Sequence, residues 1–280
     1  MKTLTRTETV RLPEGHSWLI LSLTALSLLV IGAPWIAPHD PASPLDLVHQ
    51  TLRMPGVDHW LGTDSASRDL LSRVLHGGRT SLTIAMLGTA TALAGGVVCA
   101  ALVQYGGHWL ASGMLAIVDA MRGIPRLLML LAIGAAAGGA LTPAPLAVAM
   151  GCLAVPLVCR VIHAEMQQLS VRPWSDAAHA LGVSPVRTFT HHMLPHLLPM
   201  LLGLAVILLG ELLAAEAALG VVGLGVPEPT VSWGRMIQDA LPDIARAWWP
   251  LVVPCAALLG TMLLTATLAE RLNSSLVIHD

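Results

Sequence analysis

Long uncharged runs of apolar residues alternate along this chain with shorter polar stretches. The runs cover 18–37, 80–104, 127–159 and 247–269, and a further one, 196–220, carries two carboxylates, Glu211 and Glu216. A hydrocarbon core about 30 Å thick needs roughly 20 apolar residues in a helix, so each run is long enough to span it. The run at 127–159 is interrupted by Gly138-Gly139 and by Pro143 and Pro145. It therefore reads as the parts of two spans, near 112–137 and 144–163. The pattern predicts six transmembrane helices and an all-α, polytopic membrane fold. The first run follows Lys2, Arg6 and Arg11, and Pro34-Trp35 and Pro38 make a poor cleavage site. We read it as a first transmembrane helix with its N-terminus inside, against the alternative of a secretory leader.

Two polar stretches stand out. Residues 38–79 are rich in Pro and Asp, and Asp69, Leu70, Leu71, Arg73, Val74 and Leu75 predict a short amphipathic helix leading into the second span. Residues 165–199 form the longest polar segment between hydrophobic runs in the C-terminal half. There Ala177, Ala178 and Leu181 recur at helical spacing, with Trp174 one turn earlier, which makes one face small and apolar. Gly182 and Ser184-Pro185 then end that helix, since Gly suits the position after a helix and Pro disfavours helix in the residue before it. The prediction is two short helices meeting at a bend between membrane spans, a knob suited to docking into a partner protein.

This segment resembles the EAA loop of ABC-importer permeases, the cytoplasmic element that sits in a cleft of the ATPase subunit. Ala177, Ala178, Gly182, Leu194 and Pro195 stand at the family spacing, while Asp176 replaces the usual Glu and His192 departs from the pattern. Two further stretches resemble the dipeptide, oligopeptide and nickel branch of these permeases. One is His59-Trp60-Leu61-Gly62-Thr63-Asp64 with Arg68-Asp69 and Ser72-Arg73, in which Ser67 stands where the branch usually has Gly. The other is Ala215-Glu216-Ala217-Ala218-Leu219 with Gly223-Leu224-Gly225-Val226, Pro227-Glu228-Pro229-Thr230 and Ser232-Trp233-Gly234. Asp119 with Pro125 also matches, whereas Arg122 and Arg126 sit where apolar residues are usual.

The resemblance implies a type I permease core in a bacterial inner membrane, with both termini cytoplasmic. It implies a similar but non-identical second permease subunit, two ATP-binding subunits and an extracytoplasmic solute-binding protein as partners, beside membrane lipid. Asp176, Ala177, Ala178, Leu181, Gly182, Leu194 and Pro195 would couple the pore to the ATPases. Residues 104–111 and the coupling loop would lie inside, and 38–79, 138–145 and 221–246 outside. Residues 1–79 would form the tail, first span and external loop, 80–271 a five-helix core, and 272–280 a C-terminal tail. The cargo implied is a peptide or a nickel or metal chelate.

Composition sharpens this picture. The chain has 280 residues, 55% hydrophobic and 11% charged, against roughly 25% charged in soluble proteins. Its net charge of −2 supplies no basic footprint for nucleic acid. The only lysine is Lys2, so no Walker A loop can form, and ATP with its Mg would be bound and hydrolysed in another chain. We therefore expect a transport subunit, no enzyme and no cofactor of its own. Cys99, Cys152, Cys159 and Cys255 lie within apolar runs without a Cys-x-x-Cys pair and read as small core residues. Trp18, Trp35, Trp109, Trp248 and Trp249 fall near span ends, where amphipathic rings favour the interface.

Glu211, Glu216 and Asp119 are the pore or gate candidates, because a carboxylate at the centre of a bilayer costs about 2.5–3.5 kcal/mol unless it faces protein or water. Asp119 and Arg122, spaced i, i+3, are placed to pair on one helix face. His191, His192 and His196 lack a His-Glu-x-x-His pattern, and Pro195 interrupts their helix, so we assign them an interfacial role and no metal. The rival reading is a proton-coupled secondary transporter using Glu211, Glu216 and a histidine. It predicts inverted repeats, of which the chain shows none.

Overall fold

A computed structural model of the chain describes residues 24, 32–41, 51–139 and 141–277. Most of the expected first span, 18–37, lies outside the described residues; its described end contains the short helix α1, Ala33–Ile36. Among the described residues there is no strand, only one isolated antiparallel bridge between Thr63 and Asp69. The remaining helices are α2 (Leu70–Tyr105), α3 (His108–Arg122), α4 (Arg126–Ala136), α5 (Pro143–Ser170), α6 (Pro173–Ala180) and α7 (Pro185–Thr188). A π turn at Phe189–Met193 leads into α8 (Leu194–Val222), followed by α9 (Trp233–Ala240), a 3-10 turn at Leu241–Asp243 and α10 (Trp249–Val277). Among the described residues, four helical stretches are long and apolar enough to cross a membrane: α2, α5, the continuous run 185–222, and 249–272.

Helix α2 begins ten residues before the expected span. The amphipathic segment and the span are one 36-residue helix because Asp69 caps it, accepting a hydrogen bond from the Ser72 N–H at 2.9 Å, and no proline follows. At 1.5 Å per residue that helix is about 54 Å long, well beyond the hydrocarbon thickness. Gly77 and Gly78 sit within it against Trp233; a Cβ on Gly78 would lie 2.6 Å from the Trp233 ring.

The expected third span is not one helix. It is two, of 15 and 11 residues, broken at Gly123-Ile124-Pro125. Pro125 forces Ile124 away from helical geometry, and Gly123 offers little resistance to the bend. The expected loop at 104–111 shrinks to Gly106-Gly107, where Gly107 has φ 80°.

Helices α2 and α5 pack through small residues, as expected where lipid supplies no hydrophobic drive between helices. A Cβ on Gly151 would lie 2.6 Å from the Thr91 side chain, and one on Gly95 the same distance from Val155. Two apolar clusters fill the bundle. One, containing Leu70, Ile84, Leu146, Met150, Leu213, Trp233 and Trp249, lies toward the Leu70 end of α2. The other, containing Ala100, Val103, Val158, Ile162, Met166 and Leu197, lies toward the Tyr105 end. Trp35, Trp109 and Trp248 are exposed, but Trp249 turns inward and its indole N–H donates to the Thr63 carbonyl at 3.2 Å. The four cysteines are free thiols; Cys159 is buried as expected, whereas Cys152 is exposed on α5.

Candidate functional site

The coupling segment leaves the bundle at Ser170. Helix α6 carries Asp176, Ala177 and Ala178, and the chain then turns through Gly182, whose φ of 70° is left-handed and favours glycine. Among the described residues, nothing lies within 4 Å of where a Cβ on Gly182 would point. Leu181 is 81% exposed, and Val171 and Val186 are exposed too, so the bend presents apolar side chains outward. The base of the segment is fastened. Trp174 stacks on His196 with ring centres 5.6 Å apart and lies 6.0 Å from His192. His196 Nδ1–H donates to the His192 carbonyl at 2.6 Å. The Tyr105 hydroxyl donates to the buried sulfur of Met193 at 3.1 Å, joining the end of α2 to the same base.

Leu194, half-buried, and Pro195 open α8. The π turn just before them follows from Pro195, whose ring would clash with the carbonyl four residues back in an ideal α-helix. Trp174, His192 and His196 thus pack together where the knob meets the span.

The three acidic candidates fall into different surroundings. Asp119 pairs with Arg160 of α5, its Oδ1 accepting from Nε at 2.9 Å. Its expected partner Arg122 is replaced because α3 packs against α5 and brings Arg160 across. Glu211 pairs with Arg126, at the start of α4, at 2.9 Å. Arg126, which sits where the resembled pattern has an apolar residue, thus finds its partner in Glu211. Glu211 stands near the middle of the 29-residue α8, about 16 Å from its Val222 end at 1.5 Å per residue. Both pairs are only half-buried within this chain. The Arg126–Glu211 pair lines a groove of about 580 Å³ with Gly210, Met262, Thr265 and Glu270.

Glu216 faces no solvent at all. The hydroxyls of Ser81 and Ser232 approach it, yet neither carboxylate oxygen closes a hydrogen bond of good geometry among the described residues. Both serine oxygens already accept backbone N–H groups, from Trp233 at 3.1 Å and Arg235 at 3.3 Å, which leaves their protons for the carboxylate. Around it α8 and α9 touch backbone to backbone: a Cβ on Gly234 would lie 2.7 Å from Ala217, and one on Gly220 2.6 Å from Gly234.

The two remaining motif stretches fold onto each other, which their separation along the chain conceals. Asp64 accepts from the backbone of Ala66 and Arg68 at 2.9 and 2.8 Å and from Arg68 Nε at 2.8 Å. Buried Arg73 lies 3.1 Å from both Asp64 and Asp239, and Arg235 pairs with Asp239 at 3.0 Å. Gly62, at φ 80°, packs against the Trp249 ring. Ser67 adopts φ 58°, a left-handed conformation that explains why the resembled pattern has Gly there. Its hydroxyl shares a hydrogen bond with Thr51 at 3.0 Å.

Known proteins are similar to this chain in sequence. Residues 92–277 match the family described as "Binding-protein-dependent transport system inner membrane component". A curated relative, the "Probable D,D-dipeptide transport system permease protein" of Escherichia coli (strain K12), is 34% identical over 241 residues, 85% of this chain and 79% of that protein. The dipeptide transport system permease protein of Alkalihalophilus pseudofirmus is 30% identical over 84% of this chain and 76% of its own length. A glutathione transport system permease protein of Escherichia coli O6:K15:H31 is 27% identical over 95% of this chain and 88% of its own. With its membrane-crossing helices and bent knob, this chain belongs to the family of binding-protein-dependent transport system inner membrane components.

Proposed function

We propose that this chain is one permease subunit of an ATP-driven, binding-protein-dependent importer of di- or oligopeptides. The observation that carries the reading is the coupling segment, a pair of short helices with an open left-handed glycine at its bend and exposed apolar side chains beside it. Small residues there allow a partner's backbone to come close, and an exposed apolar knob needs a partner to cover it. That partner is the ATPase: its closure on ATP would favour one arrangement of α6 and α7, and the fastening of Trp174 to His192 and His196 would carry the bias into α8.

The full assembly in this reading has a second, non-identical permease, two ATP-binding subunits and an external solute-binding protein, in a bacterial inner membrane. This chain contributes six crossings, with α3 and α4 together making the third and both termini inside. Peptide is favoured over nickel or a metal chelate as cargo because the relatives reported above are named for dipeptides and glutathione. The Arg126–Glu211 pair supports a path beside α4 and α8, since charges near the middle of a span need water or protein beyond the chain that carries them. A proton-coupled carrier is the weaker reading, because Glu211 is already paired and Glu216 meets no water.

The test is peptide uptake into vesicles carrying the complete complex, with and without ATP. Uptake that needs ATP and is lost in Gly182→Asp at unchanged membrane levels supports the reading. Uptake driven by a proton gradient without the ATPases would overturn it.

A further inference from the structure

A cluster outside the coupling segment and the Asp119–Arg160 and Arg126–Glu211 pairs holds two imidazoles and a carboxylate. His39 lies just past α1, His59 in the loop before α2, and Asp69 at the cap of α2. His59 Nδ1 is 3.0 Å from Asp69 Oδ1, and His39 Nδ1 is 3.9 Å from Asp69 Oδ2. All three donor atoms lie within 4.8 Å of one another. The two rings stand 5.5 Å apart, tilted by 47°. His39 Nδ1 is shielded from solvent and makes no hydrogen bond among the described residues. A ring nitrogen hidden from water normally has a partner.

The carboxylate and the His39 backbone are already held in place. Asp69 Oδ2 accepts from the Ser72 N–H at 2.9 Å and from the Ser72 hydroxyl at 2.8 Å, while the same hydroxyl oxygen accepts the His39 N–H at 3.1 Å. Hydrogen bonds that orient a ligating carboxylate in this way are the usual support of a metal site.

We propose that His39, His59 and Asp69 form a binding site for a divalent transition-metal ion of the zinc class. Two imidazole nitrogens and one carboxylate oxygen are the donor set of such an ion, rather than of Ca²⁺ or Mg²⁺, which take oxygen ligands. Bonds of about 2.0–2.1 Å at tetrahedral angles set ligand atoms roughly 3.3 Å apart. The His59–Asp69 pair is close to that spacing, and closure falls to His39, the most exposed of the three side chains. Water would complete the fourth position. Asp69 stands between the ion and the positive end of α2, offsetting the repulsion that a cation would otherwise feel there. The bound ion would pin the segment after α1 to the first turn of α2, a cross-link between parts of the chain 20 and 30 residues apart in sequence. It is independent of the coupling segment and of the cargo.

The experiment is a zinc titration of the full chain, purified in detergent with the subunits that remain bound and first stripped with a chelator. A competing zinc indicator reads affinity and stoichiometry. The chain has 12 histidines, so the comparison between variants is the readout. We expect one more equivalent of zinc in the wild type than in His39→Ala, or an affinity at least about tenfold higher. His39→Cys, which restores a zinc ligand, should recover it, and His191→Ala should not alter it. Co²⁺ in place of zinc should give visible absorption bands in the wild type that are missing in His39→Ala. His39→Ala is chosen because Asp69→Ala would also remove the cap of α2. Equal zinc binding and equal Co²⁺ spectra in wild type and His39→Ala would overturn the proposal, as would displacement of the zinc by millimolar Mg²⁺ or Ca²⁺.

Discussion

The two ends of the bundle are built on opposite terms. At the end where α2 begins, charges are many and nearly all are answered: Asp64, Arg68, Arg73, Arg235 and Asp239 interlock, and Trp233 and Trp249 are buried with their indole N–H groups satisfied. At the coupling end the chain bends outward through Gly182 with open space around it, and large apolar side chains face away from the protein. In the first region the charges hold one another within this chain; in the second the exposed side chains have no such network among the described residues. Substitutions at the first should cost folding, and substitutions at the second should cost transport.

That contrast can be broken in four places. The largest effect is expected from Gly182→Asp, which puts a side chain into left-handed backbone and a charge into the docking face. Peptide uptake by the assembled complex should fall to the level of vesicles without ATP, while thermal unfolding of the protein in detergent stays close to wild type. Arg73→Ala should do the reverse, losing about 3 kcal/mol of stability, the low end for a broken buried pair, because Arg68 and Arg235 stay beside Asp64 and Asp239. Denaturation in detergent checks it, and an unchanged midpoint would remove the distinction between the two ends.

Smaller but similar in kind is Gly234→Val, which overpacks the contact between α9 and α8. The expected cost is about 1–3 kcal/mol, again read as thermal unfolding. The smallest stability change belongs to Leu181→Ala, within about 0.5 kcal/mol because the side chain is exposed. Its ATPase activity in the assembled complex should nonetheless become less responsive to cargo-loaded binding protein. A loss of stability there in place of a loss of coupling would show that the knob packs against this chain.

Much of this was legible beforehand. The apolar runs located α2, α5, α8 and α10, because a helix in lipid must satisfy its own backbone and announces itself by length and hydrophobicity. The bend at Gly182 was legible from a glycine and a proline. The break between α3 and α4 was written in Pro125, yet Pro125 reads as a motif position when the surrounding run is apolar. The first turns of α2 read as a separate short helix because they carry charge, and hydropathy measures contact with lipid rather than continuity of hydrogen bonds.

Partners across the bundle were another matter. Asp119 has Arg122 one turn away, and local spacing pairs them; packing of α3 on α5 chose Arg160. Arg126 and Glu211 are 85 residues apart, and nothing short of the helix arrangement joins them. The sequence alone determined that the chain carries long apolar spans, that it has no Walker A loop, and that a bent polar segment stands between two of the spans, since these depend on composition and local geometry. Only the tertiary structure decided which charges are sealed inside, as Glu216 is, and which line an open groove, as Glu211 does. Burial depends on which faces the helices turn toward one another, and that is a property of the whole bundle.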